Sequence, residues 1–355
     1  MNLMLQYFRS PDHIIDIEDP KSLTQHLRDI GRLESDETPT LQVLHGGVSN
    51  KTILVHRFNG DRWVIKQALH KLRVRSDWFS DPARIHVEAE ALRCLPRVTP
   101  PHSTPALLFE DCNNHLLAME AVAEPNDNWK ELLLAGSIDL ALFHQFGQLL
   151  AMIHRRSFEL REELFPIFQR RTYFETLRLE PYYEYTSRRV TEAGPFLRDV
   201  IEENRACNLT LVHGDYSPKN VLIFNKRLVL LDHEVLHFGD PAFDIGFGLV
   251  HFLAKALHLP EHRKPLIAGA INFCGKYAQD TSTAPWIKGV ERRAARNAAA
   301  CLLARIVGRS PLEYLTNTER SKQYEASLCL VYGCPNNLSD LIEWYSRILE
   351  KQNRL

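Results

Sequence analysis

Short apolar and alternating runs crowd the first third of the chain, and longer runs with apolar residues every three to four positions fill the rest. Residues 19–30 (DPKSLTQHLRDI) predict a helix, with Asp19 placed to cap it, Pro20 at the first helical position and Gly31 after its end. Leu41–Leu44, Thr52–Phe58 and Arg62–Lys66 read as strands. Asn59-Gly60 joins the last two and predicts a tight hairpin turn in which both central residues take positive φ. Residues 83–95 predict a helix with Ile85, Leu92 and Leu95 on one face. A proline-rich connection (Pro96, Pro100, Pro101, Pro105) leads to two further strand-like runs, Ala106–Glu110 and His115–Val122. The character changes at residues 123–127. Leu140–His154 has a strong helical period, residues 171–206 are helical and aromatic, and Leu209–His213, Val221–Phe224 and Leu228–Leu231 are short apolar runs before helices resume. No internal repeat or low-complexity stretch interrupts the pattern. The expectation is an α+β chain: a β-rich N-lobe with one helix over residues 1–122, a hinge at 123–127, and a larger helical C-lobe with a β-loop insert over 128–355.

Composition narrows the class. A chain of 355 residues, 45% apolar and 25% charged, can bury a sizeable core and reads as a soluble globular protein of two or three domains or one bilobal unit. The net charge of −1 supplies no general field for nucleic acid or anionic membrane. The expected partner is a small molecule, with the protein a monomer or homodimer. Nothing reaches the roughly 18 uncharged apolar residues of a membrane span; the best run, Ile245–Ala254, contains His251 and stops at Lys255. The first ten residues, MNLMLQYFRS, lack the basic start and long apolar run of a leader. Seven scattered cysteines (94, 112, 207, 274, 301, 329, 334) without a CxxC pair point to buried thiols in a reduced, cytoplasmic setting.

The chemistry concentrates in residues 211–246, LVHGDYSPKNVLIFNKRLVLLDHEVLHFGDPAFDIG. Asp215 and Asn220 are five apart after an apolar run, and Asp232 closes a second apolar run twelve residues after Asn220. A loop followed by a hairpin would return Asp232 to the side of Asn220. Phosphoryl transfer needs this set: one carboxylate for the hydroxyl proton, and an amide oxygen with a second carboxylate to hold magnesium on the nucleotide phosphates. The spacing matches the Asp-x-x-x-x-Asn of kinase catalytic loops.

HGD-x-x-x-x-N, a following D-x-E and then GDPAFDIG resemble the aminoglycoside phosphotransferase / choline kinase-like family of small-molecule kinases, over most of the chain. WVIKQAL at 63–69 and Asp-His-Glu at 232–234 look most like the methylthioribose kinase branch. The resemblance implies a bilobal protein-kinase-like fold, with ATP and Mg2+ as cofactors. It implies Asp215 as catalytic residue, Asn220 and Asp232 as magnesium ligands with Glu234 helping at a second ion, and Lys66 on the α/β-phosphates. The chain departs from that branch by keeping Asn220, and by carrying Ala304-Arg305 where two consecutive arginines are usual.

Lys66 ends an apolar strand, where a bland reading is an edge lysine kept for solubility. A helix some twenty residues on offers Glu88 and Glu90, and Glu88, on the face of Ile85, Leu92 and Leu95, is its expected partner. Gly46-Gly47-Val48-Ser49-Asn50 would cover the phosphates through backbone N–H groups and the Ser49 and Asn50 side chains, although two loop glycines often mark only a turn. Glu120–Val122, at the end of the N-lobe, would hold adenine by its backbone. Asp244 is read as a helix cap or a brace for the catalytic loop.

Two rival classes stay open: a zinc hydrolase using His233-Glu234-Val235-Leu236-His237, and a catalytically silent nucleotide-binding module. The first needs both histidines on one helix face, and the Gly239–Pro241 stretch leaves little room for a helix. Tyr173, Phe174, Tyr182, Tyr183 and Tyr185 are either core or an acceptor wall. Acids outnumber bases in residues 1–127 and bases outnumber acids in 128–355, most sharply over 286–309. There Lys288, Arg292, Arg293, Arg296, Arg305 and Arg309 are set against the single acid Glu291. Part of that run reads as a solvated helix face. Arg305 sits in an apolar helical stretch, where a charge needs a partner. It predicts a neutral or anionic sugar-like or polyol acceptor, with Tyr182 as an acceptor contact.

Overall fold

The computed structural model describes residues 14–45, 47–74 and 77–352. Gly46 of the phosphate-covering loop, and the first ten residues weighed as a leader, lie outside them. The chain divides into two compact units, residues 1–89 with 106–121 and residues 90–105 with 122–355.

In the first unit, α1 (Pro20–Asp29) starts as its sequence dictates: Asp19 accepts from the Lys21 N–H at 3.1 Å and Pro20 is the first helical residue. An antiparallel sheet follows, with β1 (Thr40–Val43), β2 (Asn50–His56), β3 (Arg62–Ala68), β4 (Leu107–Asp111) and β5 (Leu116–Glu120) in the order β1-β2-β3-β5-β4. Strand alternation sorts the residues. Ile53 and Val55 pair with Ile65 and Trp63, and all four enter a core with Leu23 and Leu27 of α1, Phe109, Leu116 and Ala118. Lys66, one residue past Ile65, therefore projects from the opposite face.

The β2–β3 hairpin departs from expectation. Only Gly60 has positive φ, at 91°, and Asn59 does not. The loop is three residues, Phe58–Gly60, closed by Arg57 N–H to Asp61 O at 2.9 Å and Gly60 N–H to Arg57 O at 3.1 Å. With three residues, one left-handed glycine suffices to match the twist of the strands.

α2 (Arg84–Cys94) has its first six residues in this unit. In the second unit, β6 (Asp127–Asn128) precedes α3 (Trp129–Leu134), α4 (Leu140–Glu159) and α5 (Arg161–Phe168). α6 (Thr172–Phe174) runs into a π-helix over Glu175–Glu184 and on into α7 (Tyr185–Arg189). After α8 (Gly194–Ala206), the insert supplies β7 (Thr210–Val212), β8 (Val221–Phe224), β9 (Arg227–Leu230) and β10 (His237–Gly239). β7 pairs with β10, and β6, β8 and β9 form a second small sheet. Then come α9 (Pro241–His258), α10 (Arg263–Thr281), α11 (Val290–Val307), α12 (Asn317–Tyr332) and α13 (Leu338–Gln352).

Every residue of α9 but His258 is buried, which marks it as the central helix of its unit. It meets α11 through Gly246, where an added Cβ would lie 2.7 Å from the Ala294 carbonyl oxygen. Among the described residues no single helix is long and apolar enough to cross a membrane. All seven cysteines are unpaired. Burial is less uniform than the sequence suggested: Cys94, Cys274 and Cys301 are buried, but Cys112 and Cys329 are exposed.

Candidate active site

In the first unit the Lys66 ammonium bonds both oxygens of Glu88, at 2.8 and 2.7 Å, with Lys66 8% and Glu88 0% exposed. Glu90 turns outward and pairs with Arg93. Asn50 opens β2, buried, with its amide donating to Ser49 Oγ at 3.2 Å. The Ser49 carbonyl accepts from the Leu69 N–H and from the Arg84 guanidinium, which also donates to the Leu69 carbonyl at 2.9 Å. Arg84, fully buried, thus ties the entry of β2 to the exit of β3, a function the sequence did not announce. Glu120 ends β5, exposed, with its N–H on the Ala106 carbonyl at 2.9 Å. Val122 opens the second unit's longer segment, half-buried, and its carbonyl accepts from Asn126 at 3.3 Å.

In the second unit residues 213–220 form the loop between β7 and β8. Gly214 has φ 76°, and a Cβ there would fall 2.8 Å from Val235 Cγ1. Asp244, fully buried on α9, clasps the loop, accepting from the His213 N–H at 2.6 Å and the Gly214 N–H at 2.8 Å. It is therefore a brace, and the cap of α9 is Asp240, which accepts from the Ala242 N–H. His213 takes the Asp215 N–H on Nδ1 at 3.2 Å, so its proton is on Nε2, donated to the Leu231 carbonyl at 3.1 Å. Burial lowers the pKa of His213 against the pull of Asp244, Asp215 and Asp232, which suits this neutral form. Tyr216 stacks on Phe146 with centroids 4.0 Å apart and bonds its carbonyl at 2.7 Å, fixing the loop from below.

These restraints bring Asp215 and Asn220 into contact, with Asp232 beside them. The Asn220 amide donates to Asp215 Oδ2 at 2.7 Å and to the Asp215 carbonyl at 3.0 Å. The Leu231 N–H bonds the Asn220 carbonyl at 2.9 Å, so Asp232, the next residue, follows directly on the contact. Asp232 is half-buried with φ 67°, a left-handed conformation that Asp tolerates and that clusters at functional sites. Glu234 is buried in the turn beyond it.

Arg178 completes the cluster and was missed from sequence. It lies on the π-helix, 8% exposed, with Nη2 3.2 Å from Asp215 Oδ2 and Nε donating to the Gly214 carbonyl at 2.5 Å. Burial would raise the Asp215 carboxyl, but Arg178 and then Lys219 outweigh it and hold the pKa below the ordinary value. The available signal was a lone arginine between Leu177 and Leu179 in an aromatic stretch, the same argument that singled out Arg305.

Arg305 is 8% exposed and donates from Nη1 to Tyr182 Oη at 3.1 Å and Ser310 Oγ at 2.9 Å. Tyr182 is buried on the π-helix, and its neighbour Tyr183 is core, bonded to Asn297. Part of the rest of the basic run is a solvated face, with Lys288 and Arg292 exposed, but its arginines are also paired: Arg293 binds Asp240, and Arg292 and Arg296 bind Glu203. The zinc geometry is not met. Residues 233–236 form no helix and His237 opens β10, its Nδ1 donating to the Val235 carbonyl at 2.9 Å and its ring stacked on Phe174. Among the described residues, three potential metal-ligating groups converge only at His86, Glu110 and Cys112 of the first unit.

A five-stranded antiparallel sheet carrying a buried Lys–Glu pair, with a helical unit that holds an Asp-x-x-x-x-Asn loop beside a second Asp, is the protein-kinase-like class of fold. Within that class, residues 40–264 match the phosphotransferase enzyme family, and the chain belongs to it. A methylthioribose kinase of Pectobacterium atrosepticum is 24% identical over 246 residues, 59% of this chain and 58% of that kinase's length. An amicoumacin kinase in complex with AMP-PNP and Ca2+ superposes with a TM-score of 0.56 at 13% identity, covering 88% of this chain and 94% of its own. A choline/ethanolamine kinase family protein from Mesorhizobium loti superposes with a TM-score of 0.52 at 13% identity, over 91% and 98% of the two chains.

Proposed function

We propose that the protein is an ATP- and Mg2+-dependent kinase that phosphorylates a hydroxyl of a small, sugar-like or polyol acceptor, neutral or anionic. The observation that carries this reading is Asp215, fixed by Asn220, Arg178 and the Asp244-braced loop, with Asp232 next to Leu231, whose N–H bonds the Asn220 carbonyl. Asp215 would accept a hydrogen bond from the acceptor hydroxyl and take its proton as the oxygen bonds to the γ-phosphorus and the bond to the β-phosphate oxygen breaks, releasing ADP. Its low pKa makes it a weak base, which suits proton transfer late in a loose transition state.

The donor set fits magnesium. Asn220 commits its amide N–H groups to Asp215, so its oxygen would be the atom offered to a cation, and Asp232 adds a half-buried carboxylate. Asn220 and Asp232, with Glu234 at a second ion, would hold the metal, and when bound it neutralises phosphate charge. In the first unit Lys66, oriented by Glu88, would bind the α/β-phosphates; Ser49 and Asn50 would cover them, and the backbone at Glu120 and Val122 would hold adenine. The likeness to a methylthioribose kinase supports a sugar-like acceptor. The protein would act in the cytoplasm on a small molecule, as a monomer or homodimer. A coupled ADP-release screen over sugars, sugar acids, amino alcohols and aminoglycosides tests the reading; magnesium-dependent ADP release with one acceptor class is expected. No release above the acceptor-free rate with any of them would overturn it.

A further inference from the structure

The second unit buries a group of basic side chains, none of them in an ion pair among the described residues. On α9, His251 (6% exposed) and Lys255 (0%) are four residues apart, one helical turn, and Arg305 (8%) projects from α11. Arg305 forms no ion pair among the described residues; its Nη1 bonds go to Tyr182 and Ser310, both uncharged. Among the described residues Lys255 bonds only the His251 carbonyl, at 3.3 Å, and it lies 5.3 Å from the ring centroid of Tyr314. The acid nearest in charge effect, Glu313, is already bonded to Lys130. Burial and Arg305, Lys255, Lys130 and Lys219 together push the His251 pKa well down.

Three buried polar atoms here have no hydrogen-bond partner among the described residues: Arg305 Nε, His251 Nε2 and Tyr314 Oη. Buried polar atoms are nearly always paired, and an uncompensated buried charge is among the costliest features a fold can keep. Other arginines of the same basic run show the ordinary solution: Arg292, Arg293, Arg296 and Arg309 each have a carboxylate. With Nη1 committed, the Nε/Nη2 edge of Arg305 is the edge that grips a carboxylate or phosphate with two parallel bonds.

The group is continuous with the candidate active site. Tyr182 has two guanidinium groups against its ring, Arg305 at 5.5 Å and Arg178 at 5.8 Å from the centroid, and Arg178 is the residue paired with Asp215. Tyr182 also stacks on Phe247, and Phe247 packs against His251 at 5.2 Å.

We propose that Arg305, Lys255, His251 and Tyr314 receive an anionic group of the acceptor, a carboxylate or phosphate, so that the substrate is a hydroxy acid or a sugar phosphate rather than a neutral polyol. This deepens the kinase reading and rests on it for the fate of the hydroxyl. A neutral sugar can satisfy the orphan atoms but cannot offset the charge.

The test is calorimetric titration of the intact protein with matched probes: glycerol, D-glycerate and glycerol 3-phosphate, then glucose, gluconate and glucose 6-phosphate. At least one anion should bind at least about tenfold tighter than its neutral partner, the discrimination expected of a hydrogen bond to a charged group. The acid and phosphate arms tell the two anions apart. Arg305→Met and Lys255→Met should each erase most of that preference, and Arg305→Lys should restore part of it. Lys255→Met should also raise the Tm, because it removes a buried amine that has no acid partner among the described residues; a merely structural lysine would not trade stability against anion binding. Tyr314→Phe, a change of one hydroxyl, covers the case in which a charge variant fails to fold, and should weaken the same anion. Equal binding of anions and neutral partners, or full anion preference in the folded variants, would overturn the proposal. ADP release with neutral polyols alone, unaffected by Arg305→Met, would overturn it and leave the kinase reading standing. Anion binding without ADP release from any acceptor would support the anion site and remove the kinase reading.

Discussion

Asp215 has its charge set by one neighbour far away in sequence and two nearby. Burial pushes its carboxyl up, Arg178 and Lys219 pull it further down, and Asn220 holds one oxygen. Asp215→Asn keeps the shape and removes the proton acceptor, so turnover should fall by at least about a hundredfold, with ATP affinity little changed, in steady-state ADP-release and nucleotide titrations. Arg178→Met removes the largest lowering influence and leaves burial, so the Asp215 pKa should rise. The acid limb of the kcat/KM profile should then move to higher pH, a shift that a purely structural arginine would not cause. The same sign governs stability. A carboxyl depressed on folding contributes stability above its unfolded pKa, and that contribution disappears as pH falls through the lower folded value. The variant should therefore lose stability at neutral pH and show a shallower acid dependence.

At the scale of elements, the candidate catalytic loop is held by helices more than by strands. Asp244 of α9 takes two loop N–H groups, and the π-helix supplies Arg178. A π-turn carries about 4.4 residues, so Arg178 and Tyr182 fall on nearly the same face, and such turns recur at functional sites. The position of α9 depends on its close approach to α11 at Gly246. Gly246→Ala would put a methyl 2.7 Å from the Ala294 carbonyl oxygen and 2.8 Å from the Ala298 nitrogen, both backbone atoms that cannot swing aside. A loss of about 1–3 kcal/mol in urea unfolding is expected, with a drop in turnover as Asp244 shifts. Unchanged stability would mean the two helices part without cost.

Across the whole molecule, chemistry and stability make opposite demands on the buried ion pair of the first unit. Lys66→Met alone leaves Glu88 fully buried and uncompensated by its lysine, and should cost about 3–5 kcal/mol. Lys66→Met with Glu88→Leu removes both charges and should recover most of that stability, yet remain without ADP release. Denaturation and assay of the three proteins separate the roles. Recovered activity in the double variant would show that the pair serves the fold alone.

Local pattern was enough for much of this. Alternation in β2 and β3 decides that Ile65 is core and Lys66 is not, because successive side chains must face opposite ways. The five-residue spacing of Asp215 and Asn220 is short enough for one loop to close, and the face of α2 selects Glu88 over Glu90. The sequence by itself therefore determined the order of strands and helices, the Lys66–Glu88 contact and the Asp215–Asn220 pair. The tertiary structure alone decided the hairpin loop, where one glycine does the work of two, and the π-turn, whose extra residue leaves no mark on a 3.6-residue period. It alone decided which arginines of the basic run are neutralised. Arg293 meets Asp240 and Arg296 meets Glu203 across 53 and 93 residues, and Arg305 meets no carboxylate among the described residues. Charge that looks unbalanced along a chain is balanced only in space, because nothing local limits which distant acid a folded helix will meet.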